Sequence, residues 1–426
     1  MTTSDVDSAR CMSGGAAGAV GAVNLTGGHS PCANGDPAPT GGVRWPAQPA
    51  PLRVTRHIRP LYFHDGKLYC SRFNQIFVTA DFGQSFEFVG TLATSGWKAA
   101  AARPFPLLQR VLRAGVYRMR VLEDGTLLLV FRGGIYTLPR SATVAAKTFA
   151  FPRGNRPISL ASKPGGLTVF GEYWGNPNRD PVHVYGSEDG TSWHIVSTFP
   201  AGSIRHVHGI SYDAWEDCFW VCTGDDDHET GLLRASADFR RLDVVRQGGQ
   251  IHRFYSILVR KDHLLLATDT PRVDNFVCRL DKRTGQFETL QRIENSSFYS
   301  CDVAGRAFVS TVAEPSTCND QRACHVWTND GAAGRWRRVL SFPVDRLDRV
   351  SHLPGVPKGL FQYPRVFFPE GTNQGNVLVG HCTGLNGLDN SMVCYDVKKP
   401  PISLPRAAQD QLSAARTPRK DVPCRQ

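Results

Sequence analysis

The sequence predicts an all-β chain, folded as a β-propeller of four-stranded blades. Three observations carry that expectation. Runs rich in β formers follow one another at short intervals from Leu52 to Val397. A tight-turn pattern recurs between pairs of these runs. The turns fall near residues 81, 140, 189, 238, 284 and 330, and a spacing of about fifty residues is the period of one blade. Seven blades fit best, with six as the alternative.

The clearest turn is Ser187-Glu188-Asp189-Gly190-Thr191-Ser192-Trp193. Asp189 can accept hydrogen bonds from the turn amides, Gly190 suits a left-handed corner, and Trp193 can bury its ring between strands. Thr79-Ala80-Asp81-Phe82-Gly83-Gln84-Ser85-Phe86 repeats it with one extra residue. Ser236-Ala237-Asp238-Phe239 with Leu242 is a worn copy, and Thr328-Asn329-Asp330-Gly331 with Trp336 a lengthened one. These four copies resemble the Asp-box (BNR) repeat of sialidase-like β-propellers. The resemblance implies the fold, with the boxes on the face opposite the catalytic pocket.

Each predicted element follows from its residues. Residues 1–50 are Gly/Ala/Pro-rich with almost no large apolar side chains, so they read as a disordered segment. Blade 1 takes Arg59–Phe63, Lys67–Ser71, Gln75–Ala80 and Phe86–Leu92. Blade 2 takes Val116–Leu122, Thr126–Phe131, Ile135–Leu138 and Thr148–Phe151. Blade 3 takes Pro157–Ser162, Leu167–Tyr173, Val182–Gly186 and Trp193–Thr198. Blade 4 takes His206–Tyr212, Cys218–Thr223, Gly231–Ala235 and Leu242–Arg246. Blade 5 takes Arg253–Val259, His263–Thr268, Phe276–Leu280 and Phe287–Arg292. Blade 6 takes Phe298–Val303, Ala307–Val312, His325–Thr328 and Trp336–Ser341. The last set, Arg365–Phe368, Asn376–Cys382 and Met392–Val397, has three strands, and Leu52–Arg56 is expected to supply the fourth and close the ring. The propeller thus spans 51–399. The insertion from Trp97 to Arg113 holds the one expected helix, with Ala99–Ala102 and Leu107–Leu112. Val344 to Phe361 reads as a Pro/Gly-bearing loop, and 400–426 as a basic tail.

Bulk composition narrows the function. The longest apolar runs, such as Leu127–Phe131, have strand length, so no transmembrane segment is expected. A net charge of +11 favours an anionic partner. No run of Lys/Arg marks a nucleic-acid stripe, so no nucleic acid is expected and an acidic carbohydrate is. Cys218, Cys222, Cys278, Cys301, Cys382 and Cys394 sit in apolar runs as buried thiols, while Cys318 and Cys324 flank a loop and can pair if oxidised. The start, Met1 to Asp7, has no basic n-region, which points to the cytoplasm.

In a propeller the starts of the first strands and the second-to-third-strand loops share one face around the axis. The strand starts carry Arg59, Arg118, Arg120, Arg156, Arg205, His206, His208, Arg253, Tyr255, Tyr299 and Arg365. The loops carry Glu172, Tyr173, Asp225, Asp226, Asp227, Asp269 and Glu314. Arg forks bind carboxylates and Tyr stacks on sugar rings, so the expected ligand is a uronic or nonulosonic acid glycan. Arg59, Arg118, Arg205, Arg253, Tyr255, Asp269 and Arg365 are the expected substrate contacts.

His206 and His208 lie two apart on a strand and project to one face, with Asp225 at the end of the paired strand. Three readings stay open: metal ligands, a general base and acid, or a hydrogen-bonded structural cluster. No cofactor is expected, unless His206, His208 and Asp225 hold a divalent ion. Glu172 with Tyr173, and Glu314, are the next catalytic candidates. The sialidase resemblance implies a Tyr nucleophile backed by Glu, an Asp acid, and three Arg on the sugar carboxylate. Here the nearest run to the family's Phe-Arg-Ile-Pro is His57-Ile58-Arg59-Pro60, with Arg and Ile exchanged, so the arginine triad is not carried over by position. The leading expectation is a sialidase-like enzyme acting on an acidic glycan by hydrolysis or β-elimination. The alternatives are a non-catalytic glycan- or protein-binding propeller serving polysaccharide assembly, and a metal-dependent hydrolase.

Overall fold

The computed structural model describes residues 49–93, 105–113, 115–316, 318, 322–329, 334–351, 353–357 and 359–398. The expected N-terminal segment up to residue 48, Ala99–Ala102, the Asp330-Gly331 turn and the tail from residue 399 lie outside the described residues.

Nearly every described element is a strand. Among the described residues, five sheets have four strands each, and a nine-stranded sheet holds two further four-strand meanders. The meanders begin with Arg59–His64, Arg118–Val121, Ala161–Ser162, His206–Asp213, Phe254–Val259, Ser297–Val303 and Arg365–Phe367. The sheet begun by Arg365–Phe367 takes its fourth strand from the other end of the chain: Arg53–Arg56 pairs antiparallel with Ser391–Asp396, Arg53 opposite Cys394 and Arg56 opposite Ser391. That is the closing strand expected from Leu52–Arg56. No described helix is long and apolar enough to cross a membrane.

Alternation explains the packing. Cys218–Gly224 is buried along its whole length and Thr168–Gly171 likewise, as middle strands covered on both faces must be. Outer strands such as Leu242–Gln247 are half-exposed. Apolar clusters fill the spaces between neighbouring sheets; Phe149, Phe170, Tyr185 and Trp193 form one, with the Trp193 ring 5.2 Å from that of Phe170.

The recurrent turns share one wiring. Asp189 accepts from the amides of Thr191 and Ser192 (2.7 Å each) and from the hydroxyls of Ser187 (3.0 Å) and Ser192 (2.8 Å). Asp81 accepts from Gln84 N (2.8 Å), Ser85 N (3.0 Å), Thr79 Oγ1 (2.8 Å) and Ser85 Oγ (2.7 Å). Asp238 keeps two of these bonds, from Ser236 Oγ (2.6 Å) and Arg240 N (3.1 Å).

Bulges recur as well. The third and fourth strands slip register at Ile76/Phe77, Ile135/Tyr136, Val184/Tyr185, Leu232/Leu233, Val277/Cys278 and Val326/Trp327. A bulge sharpens twist, which a radial stack of sheets requires of its outer strands. First strands slip too. Val207 faces Thr223 and Gly209 faces Cys222, which leaves His208 as the bulged residue.

Several expectations change. Pro157–Ser162 yields only the two-residue strand Ala161–Ser162. Pro157 has no N–H, the Ile158 carbonyl accepts Arg118 Nε (2.9 Å), and Ser159 Oγ accepts the Ile210 amide (3.0 Å), so those groups are used outside a ladder. The helix of the insertion is Pro106–Val111. The Val344–Phe361 loop contains a second helix, Arg346–Ser351, whose leading amides of Leu347 and Asp348 are accepted by Asp345 Oδ1 (3.0 and 3.1 Å). The expected Cys318–Cys324 pair does not form: Cys324 is a buried thiol donating to Pro364 O (2.9 Å).

Candidate functional site

Side chains from the leading edges of the meanders converge on one point, Tyr117. The guanidinium carbon of Arg156 lies 4.3 Å from the Tyr117 ring centre, that of Arg118 4.8 Å and that of Arg59 5.3 Å. Arg59 also lies 4.5 Å and Arg118 5.0 Å from the ring of Phe367. The Tyr117 hydroxyl stands 3.0 Å from that of Tyr255, whose ring stacks on Phe298 at 4.9 Å.

Positive charge is in surplus here. Arg118 pairs with Glu370 (3.2 Å), and Arg120 takes the other oxygen of the same carboxylate. Arg365 donates to the Tyr363 carbonyl (3.0 Å) and to Gln362, both neutral. Arg59 and Arg156 have no carboxylate partner among the described residues. Burial favours neutral Tyr117, but Arg118, Arg156, the Tyr255 hydroxyl and Arg365 favour its phenolate, and its pKa is lowered to about 7. Burial, with Tyr117 and Tyr299 beside it, sends Tyr255 the other way. Arg59 drops to about 10 because it is buried beside Arg365 and Arg118.

The second cluster is His206, His208 and Asp225. Their first-strand bulge turns both imidazoles to one side. Gly209 follows because the strand runs against its neighbour: a Cβ there would collide with the Tyr255 carbonyl. Each Nδ1 faces a carbonyl, Trp174 O at 3.0 Å for His206 and Phe254 O at 3.2 Å for His208, so each Nδ1 carries the proton. Both Nε2 atoms are then bare in the neutral rings, yet they stand 3.0 Å apart, with Asp225 Oδ1 3.2 Å from His208 and Oδ2 3.5 Å from His206. Burial pushes His208 down to about 4. Arg253 (2.9 Å) and Arg205 (3.3 Å) also reach Asp225. Burial opposes the charge of Asp225, but the two imidazoles facing it, when an Nε2 carries a proton, hold its carboxyl far below the usual range.

Two carboxyls nearby go the opposite way. Burial raises Asp269 well above the usual range although Arg253 stands 3.8 Å off. Burial also raises Glu314, which accepts from the Ser296 hydroxyl. Carboxyls pushed apart in this way divide into donors and acceptors of protons. Tyr173 lies with its ring 4.1 Å from that of His206, and burial raises its pKa.

Glu172 is placed differently from the expectation. It is buried, pairs with Arg153 through both oxygens (Nε to Oε1, 3.0 Å) and accepts the His183 amide (2.8 Å). Its capacity is spent by those partners. Asp226 is tied up by Arg179 and Arg272. Arg120 stacks over Tyr62 at 5.1 Å.

A cleft of about 810 Å³ opens beside these groups, lined by Arg113, Tyr117, Arg156, Tyr173, His206 and Asp225 among others. Tyr117 was missed by the sequence reading. The signal was its place next to Arg118 at a first-strand start.

No family model matches the chain, and no curated protein matches it in sequence. Solved structures do resemble it. An oligogalacturonate lyase in complex with manganese superposes with a TM-score of 0.51 at 9% identity, covering 84% of this chain and 91% of that one. A chain of the mitotic checkpoint complex gives 0.49 at 10% identity, covering 85% and 99%. At such identities the likeness shows the fold, an all-β architecture of repeated four-stranded sheets consistent with a propeller.

Proposed function

We propose that this is a seven-bladed, Asp-box propeller enzyme that cleaves an acidic glycan, with β-elimination favoured over hydrolysis. The observation that carries the reading is the arginine surplus around Tyr117 at the wall of the large cleft. Arg365 is buried and Arg59 and Arg156 are half-buried, none with a carboxylate partner among the described residues, and an anionic ligand would neutralise that charge on binding. The sugar carboxylate would sit against Arg156 and Arg118, with Arg205, Arg253 and Arg365 adding to the field. In elimination the carboxylate must be neutralised so that the neighbouring C–H acidifies. Tyr117 as phenolate takes that proton, a carbon–carbon double bond forms, the glycosidic C–O bond breaks, and Asp269 or Glu314 returns a proton to the leaving oxygen. Hydrolysis would use the same acid with water as the incoming group. The lyase with the same fold acts, by its name, on oligogalacturonate, an acid sugar, which supports this ligand class. The test is calorimetric binding of uronate oligosaccharides against their methyl esters. Esterification removes the charge and should weaken binding about tenfold or more. Equal binding of both overturns the reading.

A metal-dependent reading is favoured by one observation. Two bare Nε2 atoms facing each other at 3.0 Å repel unless a cation lies between, and Nδ1–H bonds to carbonyls are how metal-binding imidazoles are oriented. His206, His208 and Asp225 fit a divalent ion on that ground. Against it, Arg205 and Arg253 already occupy Asp225. Elemental analysis decides: about one divalent ion per chain, with a melting temperature that falls on chelation, favours the metal. A metal-free chain that melts unchanged in chelator leaves a shared proton at the pair.

A further inference from the structure

A smaller cleft of about 50 Å³ adjoins the large one and shares Gly115 with it. Arg59, Arg110 and His381 line it, with Asp389 and Asn390. Its Arg59 is also the guanidinium over Tyr117, which lines the large cleft.

Buried polar atoms here lack partners among the described residues: Arg59 Nε and Nη2, Arg110 Nη2, and His381 Nδ1. Arg110 and His381 are each only 5% exposed. The rest of Arg110 is engaged, Nε with the Phe361 carbonyl and Nη1 with Asp345. A Cβ at Gly384 would stand 2.8 Å from Arg110 Nη2, so glycine keeps that edge clear. His381 Nε2 donates to Asn390 Oδ1 (3.3 Å), and Asn390 Nδ2 donates to His57 Nδ1 (3.3 Å). That relay fixes the tautomer and leaves His381 Nδ1 as a bare acceptor. Among the described residues the carboxylate lining the cleft is Asp389, which already accepts the Gly384 amide (2.7 Å) and lies 3.6 Å from Arg110 Nη1.

Nε and Nη2 form one edge of a guanidinium, the edge that grips both oxygens of a carboxylate. In Arg59 that whole edge is vacant. The room equals that of one or two waters, which suits an acid group and not a sugar ring.

We propose that the small cleft is a second acid-group subsite, in which the Nε–Nη2 edge of Arg59 holds a carboxylate and His381 Nδ1 accepts a neighbouring hydroxyl. The ligand is then a chain carrying at least two acid groups, one in each cleft. This rests on the acid-glycan reading of the large cleft.

Calorimetry on the full chain tests it with galacturonate, its di- and trimer, and acetate. The dimer or trimer should bind about tenfold or more tighter than the monomer. Arg59→Gln should bring that ratio close to one. Asn390→Asp, which sets a like charge beside the cleft, should lower it as well and serves if Arg59→Gln does not fold. A monomer that binds as tightly as the dimer overturns the second subsite and leaves the large cleft standing. Acetate binding that Arg59→Gln removes, without any chain-length dependence, assigns the pocket to free carboxylates and overturns it too. No binding of any acid sugar overturns both readings.

Discussion

Tyr117 is where charge, burial and access meet. Arg59, Arg118, Arg156 and Arg365 act on it from four chain segments, and Tyr255 shares its hydroxyl. An absorbance titration of wild type against Tyr117→Phe should show one tyrosine ionising near pH 7 that the variant lacks. If every tyrosine ionises near 10, the arginine cage does not act as described. The sign of the stability effect follows. The folded pKa lies below the unfolded one near 10, so the stabilisation is complete above 10, shrinks as pH falls, and is gone below 7. The stability difference between wild type and Tyr117→Phe should therefore move in favour of wild type as pH rises through that window. Residue types alone indicated the neighbouring arginines and the His206–His208–Asp225 cluster. Which oxygens were already spent was not legible. Glu172 looks catalytic in sequence because Tyr173 follows it, yet its carboxylate is closed by Arg153, a residue in another segment.

At the scale of elements, strand runs and turns were readable because alternation and Asp/Gly corners are local signals. The strand Val144–Ala150 begins before the expected Thr148, since Val144 and Ala145 also pair in parallel with Thr91 and Leu92 of the preceding meander. Such pairing is invisible to a local pattern. The same holds for the first-strand bulges, which set the direction of His208. Gly209 is the position where this geometry is most exposed to test. Gly209→Ala must push apart two first strands at the Tyr255 carbonyl. It should destabilise the fold by about 1–3 kcal/mol in denaturant unfolding. It should also blunt function, since one of the two displaced strands carries His208 and the other carries Tyr255, the partner of Tyr117. An unchanged midpoint would mean that the strands have slack that the close contact denies.

Across the whole molecule, the fold collects first-strand edges from distant stretches of sequence into one basic, aromatic floor beneath an open cleft. Pairing of Arg53–Arg56 with Ser391–Asp396 ties the two ends of the described chain together. That closure lets charges from Arg59 and Arg365, three hundred positions apart in sequence, bear on one phenol. A spacing of turns announced the repeat, but the summed charge at the axis is a property of the assembled ring. We propose that this floor cleaves acid sugars. The most direct test is to incubate the purified chain with uronate and nonulosonate glycans and weigh the products. The expected products are fragments whose masses sum to that of the substrate, one bearing an unsaturated uronate. Fragments heavier by one water would retain the enzyme and replace elimination with hydrolysis. Intact glycan from every member of the panel would contradict the claim, and with measurable binding it would make the molecule a recognition platform.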